Sequence, residues 1–102
     1  MAQLLKISKN NTTIGKDAKG RPSTVWLHST RILDVDWDKR VLTVCTGGWS
    51  TATTRNRLNQ AFYEWGLPFL AGLKGGTIRV HRIGEYDGGT VMIGTLREQF
   101  EF

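Results

Sequence analysis

Residues 32–65, ILDVDWDKRVLTVCTGGWSTATTRNRLNQAFYEW, contain the pattern that decides the fold. Apolar and acidic residues alternate over residues 32–37, and a second β-rich run over residues 40–46 follows the turn at Asp38-Lys39. A period of two places neighbouring side chains on opposite faces of a strand. This half of the stretch therefore predicts a β-hairpin that is buried on one face.

The other half of the stretch predicts a helix. Gly47-Gly48 ends the hairpin, and Ser50 or Thr53 supplies a hydroxyl suited to an N-cap. One stripe of apolar residues at i, i+3, i+4 and i+7 follows, formed by Leu58, Ala61, Phe62 and Trp65. The spacing predicts a helix over about residues 53–65, ended by Gly66 and blocked by Pro68.

The remaining β-rich runs extend this core in both directions. Residues 3–7, 24–27, 69–73, 77–83 and 90–95 are further predicted strands. The expected fold is α+β, a single domain over residues 1–102, with an antiparallel sheet of about five or six strands and the helix on one face. Residues 8–22 form a basic mobile loop or a ragged hairpin, and residues 83–102 an acidic C-terminal hairpin or tail. Trp26, Trp37 and Cys45 are expected in the core.

Charge is distributed unevenly along the 102 residues. Residues 1–82 contain 13 Lys and Arg against 5 Asp and Glu, whereas residues 83–102 contain one Arg against four acids. A basic body favours polyanionic partners, namely nucleic acid, a nucleotide or an acidic protein. A single cysteine excludes an internal disulfide, and no apolar run approaches the roughly 18–20 residues of a membrane span.

The most specific motif is TGGWSTATTRNRLNQ at residues 46–60. It resembles a family of small, mostly uncharacterised proteins of tailed bacteriophages with the pattern TGGW-x-T-x-TT-(Lys/Arg)-x-Arg-(Ile/Leu/Met)-Asn. The upstream run Leu27-His28-Ser29-Thr30 is similar to a second family pattern, an aromatic residue or Leu followed by His-x-Thr. The resemblance implies a viral origin and an α+β fold. It implies little about chemistry. With the single cysteine and the lack of a membrane-length run, a viral origin predicts a location in the host cytoplasm.

The residue types in this motif suit an anion. Glycines permit close approach of a partner to the backbone, and a helix start presents free N–H groups at the positive end of the dipole. Arginines add charge-assisted donors. The candidate nucleic-acid or anion site consists of Gly47, Gly48, Trp49, Thr51, Thr53, Thr54, Arg55, Arg57 and Asn59. Secondary basic contacts are predicted at Lys16, Lys19, Arg21, Arg31, Arg79 and Arg82, and bases stacking on Trp26 are a further hypothesis.

A purely structural interpretation of the same motif stays open at this point. The threonine then only caps the helix, Trp49 only fills the core, and the two glycines only make a tight turn. His28 and His81 lack a partnering carboxylate motif, and Asp34, Asp36 and Asp38 lack the pattern of a calcium loop. We therefore predict no catalytic residues, no metal site and no cofactor.

An enzyme is the weakest of four interpretations, because the sequence contains no paired acids, metal-ligand cluster or nucleophile motif. Three non-enzymatic functions remain. The first is a phage accessory protein that binds nucleic acid through the basic surface at the start of the helix. The alternatives are an inhibitor of an acidic host protein, such as a defence or transcription component, and a protein that sequesters a small phosphorylated nucleotide. An inhibitor requires an exposed apolar patch, for which Phe100 and Phe102 are the expected anchors. A homodimer is compatible with each function.

Overall fold

The structure, a computed structural model, describes residues 12–47, 51–83, 90–92 and 97–102. Four strands precede the helix: β1 (Thr12–Lys16), β2 (Pro22–Leu27), β3 (Thr30–Asp36) and β4 (Val41–Cys45). Helix α1 spans Ala52–Glu64. Four strands follow it: β5 (Phe69–Lys74), β6 (Thr77–Arg82), β7 (Thr90–Met92) and β8 (Arg97–Glu101). The predicted strand at residues 3–7 lies outside the described residues.

The strands form two antiparallel sheets. The first has the order β1-β2-β3-β4-β8 and the second the order β5-β6-β7. The α+β class with its antiparallel strands and a helix at the predicted place is confirmed. The strands divide between two sheets, whereas the sequence predicted one, because β5 packs along α1 while β8 returns to pair with β4. Strand alternation cannot predict which strands share a sheet, since it concerns only the faces of each strand.

Residues 12–27 form a hairpin, the second of the two interpretations open for the basic segment. Strand β1 pairs with β2, and Asp17 organises the turn between them. The Asp17 carboxylate accepts hydrogen bonds from the backbone N–H groups of Lys19 and Arg21, both at 2.9 Å. A carboxylate that accepts backbone N–H groups two and four residues ahead is a strong local turn signal.

The core lies between the first sheet, α1 and the second sheet. Its fully buried aliphatic residues alternate along the strands, as the hairpin pattern predicted: Val25, Leu33, Leu42, Val44, Ile78 and Val80. The predicted helical stripe is confirmed, with Leu58, Ala61 and Phe62 buried and Trp65 half-buried against the same cluster. Cys45 is also buried, as expected.

The C-terminal residues complete the first sheet. Strand β8 pairs with β4, which places Phe100 beside Leu42 in the register. The ring of Phe100 lies 5.4 Å from that of Phe69, and the ring of Phe102 lies edge-on to Trp37 at 5.8 Å. Both phenylalanines pack against the core. The expectation that they are exposed anchors for a partner was therefore wrong.

Candidate functional site

A pocket of about 480 Å³ lies beside the first turn of α1, and we call it the helix-start pocket. Its walls come from two separate parts of the chain. The β2–β3 turn and the start of β3 contribute Leu27, His28, Ser29, Thr30 and Ile32, and the segment that enters the helix contributes Thr46, Thr51 and Thr54. These are the two segments that carried the motif and its upstream pattern in the sequence.

The β2–β3 turn forms the outer part of the pocket. Leu27 pairs with Thr30, so His28 and Ser29 make a two-residue turn. His28 has φ +54°, a conformation that glycine usually adopts in such a turn. A side chain held there stores strain on the order of 1 kcal/mol. His28 and Ser29 are exposed, whereas Leu27 and Ile32 are buried, so the pocket has an apolar interior and a polar opening.

Gly47 brings the second segment close to the first. It has φ +61°, and a Cβ at this position would lie only 2.6 Å from Cγ2 of Thr30. Only glycine permits both the conformation and the contact. In the described structure, the close neighbour of Gly47 is therefore Thr30. Gly48 and Trp49 of the candidate site lie outside the described residues.

Thr51, and not the predicted Ser50 or Thr53, is the N-cap of α1. Its hydroxyl accepts a hydrogen bond from the backbone N–H of Thr54 at 3.3 Å. The N–H groups of Ala52 and Thr53 have no acceptor within a helix that starts there. The first turn contains no acidic side chain, so its own residues leave the positive end of the dipole unneutralised. Because Thr51 and Thr54 line the pocket, this positive end lies beside it.

Arg55 is the cationic side chain in the first turn of α1. Its backbone N–H donates to the carbonyl of Thr51 at 3.0 Å, which places Arg55 one turn after the N-cap on the same side of the helix. The guanidinium contacts only the side-chain oxygen of Asn56 among the contacts that the structure describes, at 3.0 and 3.2 Å. Asn56 is neutral, so this contact leaves the charge of Arg55 uncompensated.

Arg57 and Asn59 make contacts that hold the fold together. Arg57 donates from Nε to the hydroxyl of Thr12 at 3.0 Å, which joins α1 to β1. The side-chain amide of Asn59 pairs with the backbone of Ala71, donating to its carbonyl at 2.8 Å and accepting from its N–H at 2.7 Å. Strand β5 is an edge strand, so Asn59 closes part of its open edge. Contact of these two residues with an anion stays a prediction.

The secondary basic residues are spread over both sheets. Arg21 is paired with Asp17 at 2.7 Å, and both Lys19 and Arg21 approach Asp38, at 3.3 and 3.4 Å. The Lys19 ammonium, and next the Arg21 guanidinium, lower the pKa of Asp38. Desolvation acts to raise the pKa of Asp17, but the hydrogen bonds from Arg21 and Lys19 outweigh it and the pKa is lowered. Lys19 and Arg21 are thus locally neutralised.

The other four secondary residues lie on β1, β3 and β6. Lys16 and Arg79 are exposed. Arg31 lies 3.8 Å from the Asp34 carboxylate. Arg82 lies over the ring of Phe69 and donates a hydrogen bond to the carbonyl of Glu101, which joins the second sheet to the first. Contact of these four residues with an anion stays a prediction.

A family model described as the Kyanoviridae Gp96 protein matches residues 1–87. The chain belongs to this family of bacteriophage proteins. The match includes every described residue of the helix-start pocket. Membership confirms the viral origin that the motif implied, although the motif itself is not tested by the match. No curated protein is similar to the chain. No solved structure is similar to it either.

An apolar surface lies away from the helix-start pocket. Of the large apolar side chains that are exposed in the described ranges, three surround a second pocket of about 390 Å³: Tyr63, Leu70 and Ile83. We call them the Tyr63 patch. They come from α1, β5 and the residue after β6. Sequence reasoning placed the apolar patch at the C-terminus, because alternation does not reveal which apolar residues remain uncovered by a neighbouring element.

The described part of the chain contains neither a metal-ligand cluster nor a membrane-spanning helix. Residues 12–47, 51–83, 90–92 and 97–102 hold no group of three His, Cys, Asp or Glu side chains with metal-binding geometry. His28 belongs to the first sheet and His81 to β6 of the second. In the same ranges, no helix has the length and apolarity needed to cross a membrane.

Proposed function

We propose that the protein is a non-enzymatic phage accessory protein of the host cytoplasm that binds nucleic acid and holds one nucleotide in the helix-start pocket. One observation carries the proposal. The β2–β3 turn and the entry to α1, separated by about 20 residues in the chain, line the same pocket at the positive end of the helix. A helix start with free N–H groups favours a phosphate.

The chemistry of the pocket suits the two halves of a nucleotide. A phosphate accepts hydrogen bonds from the N–H groups of Ala52 and Thr53, and Arg55 supplies the counter-charge. The sugar and base then contact the buried apolar side chains of Leu27 and Ile32. A volume of about 480 Å³ falls in the range of small-ligand sites, which favours a single nucleotide over a duplex groove.

The test is fluorescence anisotropy of labelled single-stranded and double-stranded DNA and RNA, titrated at about 50 and 200 mM salt. Two variants probe the pocket from its two sides. Arg55→Glu replaces the positive charge in the first turn of α1 by a negative one. Ser29→Glu adds a negative charge, which repels phosphate, at the exposed β2–β3 turn. Each should weaken binding about 10- to 100-fold, since a charge-assisted hydrogen bond contributes on the order of 1.5–3 kcal/mol. Arg55→Glu should also make the slope of log affinity against log salt shallower by about one, the value for one lost phosphate contact.

Lys74→Glu is the matched control, because it makes the same charge change as Arg55→Glu at the exposed end of β5. If Lys74→Glu weakens binding as much as Arg55→Glu, net charge alone governs affinity and the pocket is not the site. Arg57 is unsuited to this test, since its contact with Thr12 supports the fold. Thermal stabilisation by free nucleotides, with no binding of an oligonucleotide, would favour the sequestering function instead.

The Tyr63 patch favours a second candidate function, inhibition of a host protein by direct docking. Contiguous exposed apolar residues around a pocket are typical of protein-binding surfaces. Affinity capture from host lysate should then recover a partner with the wild-type protein and with Arg55→Glu, but lose it with Leu70→Asp. A partner that is retained by Leu70→Asp, or no partner at all, would contradict this candidate.

A further inference from the structure

Trp26 lies on the solvent face of the first sheet, contrary to the expectation that it fills the core. Along β2 the side chains of Ser23, Val25 and Leu27 are buried, so the alternate residues face the other way. Trp26 is 38% exposed, whereas Trp37 and Trp65 are half-buried and pack against the core. A partly exposed indole on the solvent face of a sheet presents an aromatic surface that a ligand can contact.

One described neighbour of this indole is a cation. Arg31 is the residue opposite Trp26 on β3, and its Cζ lies 5.9 Å from the centre of the indole ring. A register shift between Val25 and Trp26 puts an extra residue, Ile32, into β3. The shift lets Ile32 turn inward to the helix-start pocket while Arg31 stays on the outer face. Such bulges commonly redirect side chains at functional surfaces.

Trp26 is also close to the opening of the helix-start pocket. His28, at that opening, follows two residues later, a distance of about 7 Å along a strand. Leu27, between them, lines the pocket from the opposite face of β2. An extended ligand that leaves the pocket around the β2–β3 turn therefore reaches the outer face of the first sheet at Trp26.

We propose that Trp26 and Arg31 form a stacking platform for an unpaired base next to the nucleotide in the helix-start pocket, so that the ligand is single-stranded nucleic acid. This inference rests on the proposed function and specifies its substrate. Aromatic faces stack on any base, and a neighbouring guanidinium adds cation–π and phosphate contacts. A base inside a duplex is already stacked and paired, so its face is not available to Trp26.

The experiment compares a single-stranded oligonucleotide with a duplex of the same sequence, using variants that separate stacking from hydrophobicity. Trp26→Leu keeps an apolar side chain but removes the aromatic face, and single-strand binding should weaken about 5- to 100-fold. Trp26→Phe keeps an aromatic face and should bind within about threefold of wild type. Tyr63→Leu is the control, because it removes an exposed aromatic side chain from α1 and not from the proposed platform. Its affinity for the single strand should equal that of wild type.

The salt dependence distinguishes this platform from the phosphate contact. Trp26→Leu removes no charge, so the slope of affinity against salt should equal that of wild type, whereas Arg55→Glu should reduce it. Trp26→Leu and Trp26→Phe should melt close to wild type, because part of the Trp26 side chain lies on the solvent face. Binding should also quench the tryptophan emission of the wild-type protein more than that of Trp26→Phe.

Several results would overturn the inference. Unchanged single-strand affinity in Trp26→Leu, equal losses in Trp26→Leu and Trp26→Phe, or a duplex bound as tightly as the single strand would each contradict a stacking platform. If Arg55→Glu still weakens binding in those cases, the proposed function stands without the platform. If the wild-type protein binds no nucleic acid at about 50 mM salt, both proposals fail together.

Discussion

Replacement of Asn59 by alanine provides a strict test of how α1 is attached to the second sheet. The Asn59 amide makes two hydrogen bonds to one residue of β5, with the carbonyl and the N–H of Ala71 at 2.8 and 2.7 Å. Ala71 is only 3% exposed, so water cannot easily replace these bonds. Asn59→Ala therefore leaves a buried N–H and a buried carbonyl without their side-chain partner.

The magnitude follows from these two groups. Each buried backbone group that loses its partner costs on the order of 1–3 kcal/mol. Some relaxation of the strand edge towards solvent reduces the sum, so the expected loss is about 2–4 kcal/mol. At about 4–8 °C per kcal/mol for a domain of this size, the melting temperature should fall by at least about 8 °C. Thermal and urea unfolding followed by circular dichroism measure both quantities.

Asn59→Asp adds a pH dependence of known sign. An ionised carboxylate accepts from the Ala71 N–H but cannot donate to the Ala71 carbonyl, whereas a protonated carboxyl group can do both. Folding therefore raises the pKa of the introduced carboxyl group. The stability deficit relative to wild type should be largest at neutral pH. It should shrink as the pH falls towards the ordinary Asp pKa of about 3.9.

The control is Asn56→Ala on the same helix, since the described contact of the Asn56 side chain is with Arg55. We expect it to change stability by no more than about 0.5 kcal/mol. Melting of Asn59→Ala within about 2 °C of wild type, or equal destabilisation of Asn56→Ala, would show that the Asn59 amide does not hold α1 to β5. If the stability loss of Asn59→Asp does not depend on pH, donation from residue 59 to the Ala71 carbonyl is contradicted, but the result for Asn59→Ala is not affected.

The other predictions concern Gly47, the carboxylates of Asp17 and Asp38, and the core residue Leu58. Gly47→Ala should lower the melting temperature, because a Cβ would meet Thr30 Cγ2 at 2.6 Å in a left-handed conformation. Adding Thr30→Ser, which deletes that methyl group, should recover part of the loss, and no recovery would contradict the contact. The lowered pKa values of Asp17 and Asp38 mean that their stabilisation is complete above the ordinary value of 3.8 and is lost as the pH falls through the folded-state values. Asp38→Asn should therefore lose less stability than wild type between about pH 5 and pH 2, in thermal melts at each pH; an equal loss would be inconsistent with this sign. Leu58→Ala, at a fully buried position, should cost about 2–5 kcal/mol in urea unfolding, and a cost below about 1 kcal/mol would contradict its place in the core.

Local patterns in the sequence were sufficient to predict the helix and the β3–β4 hairpin. The stripe of Leu58, Ala61 and Phe62 predicted the buried face of α1, and the helix lies within one residue of its predicted bounds. The alternation around Leu33 and Val35 predicted the β3–β4 hairpin in the same way. These predictions succeed because the period of apolar residues matches the period of the backbone, and burial of one face supplies the stabilisation.

The tertiary structure decided what each element faces. Residues 27–30 and 46–54 are far apart in the chain, and only the folded β-hairpin and the glycine at residue 47 bring them to one pocket. Asn59 and Arg57 carried the same polar signal in the sequence as Arg55, yet they contact Ala71 and Thr12 across elements. The face on which Trp26 lies followed from which side of β2 the core covers, and a register shift between β2 and β3 placed Arg31 opposite it. The spacing of residues in the sequence specifies which face of a helix or strand each side chain occupies. Long-range pairing of strands determines which of them meet a neighbour and which remain available to a ligand.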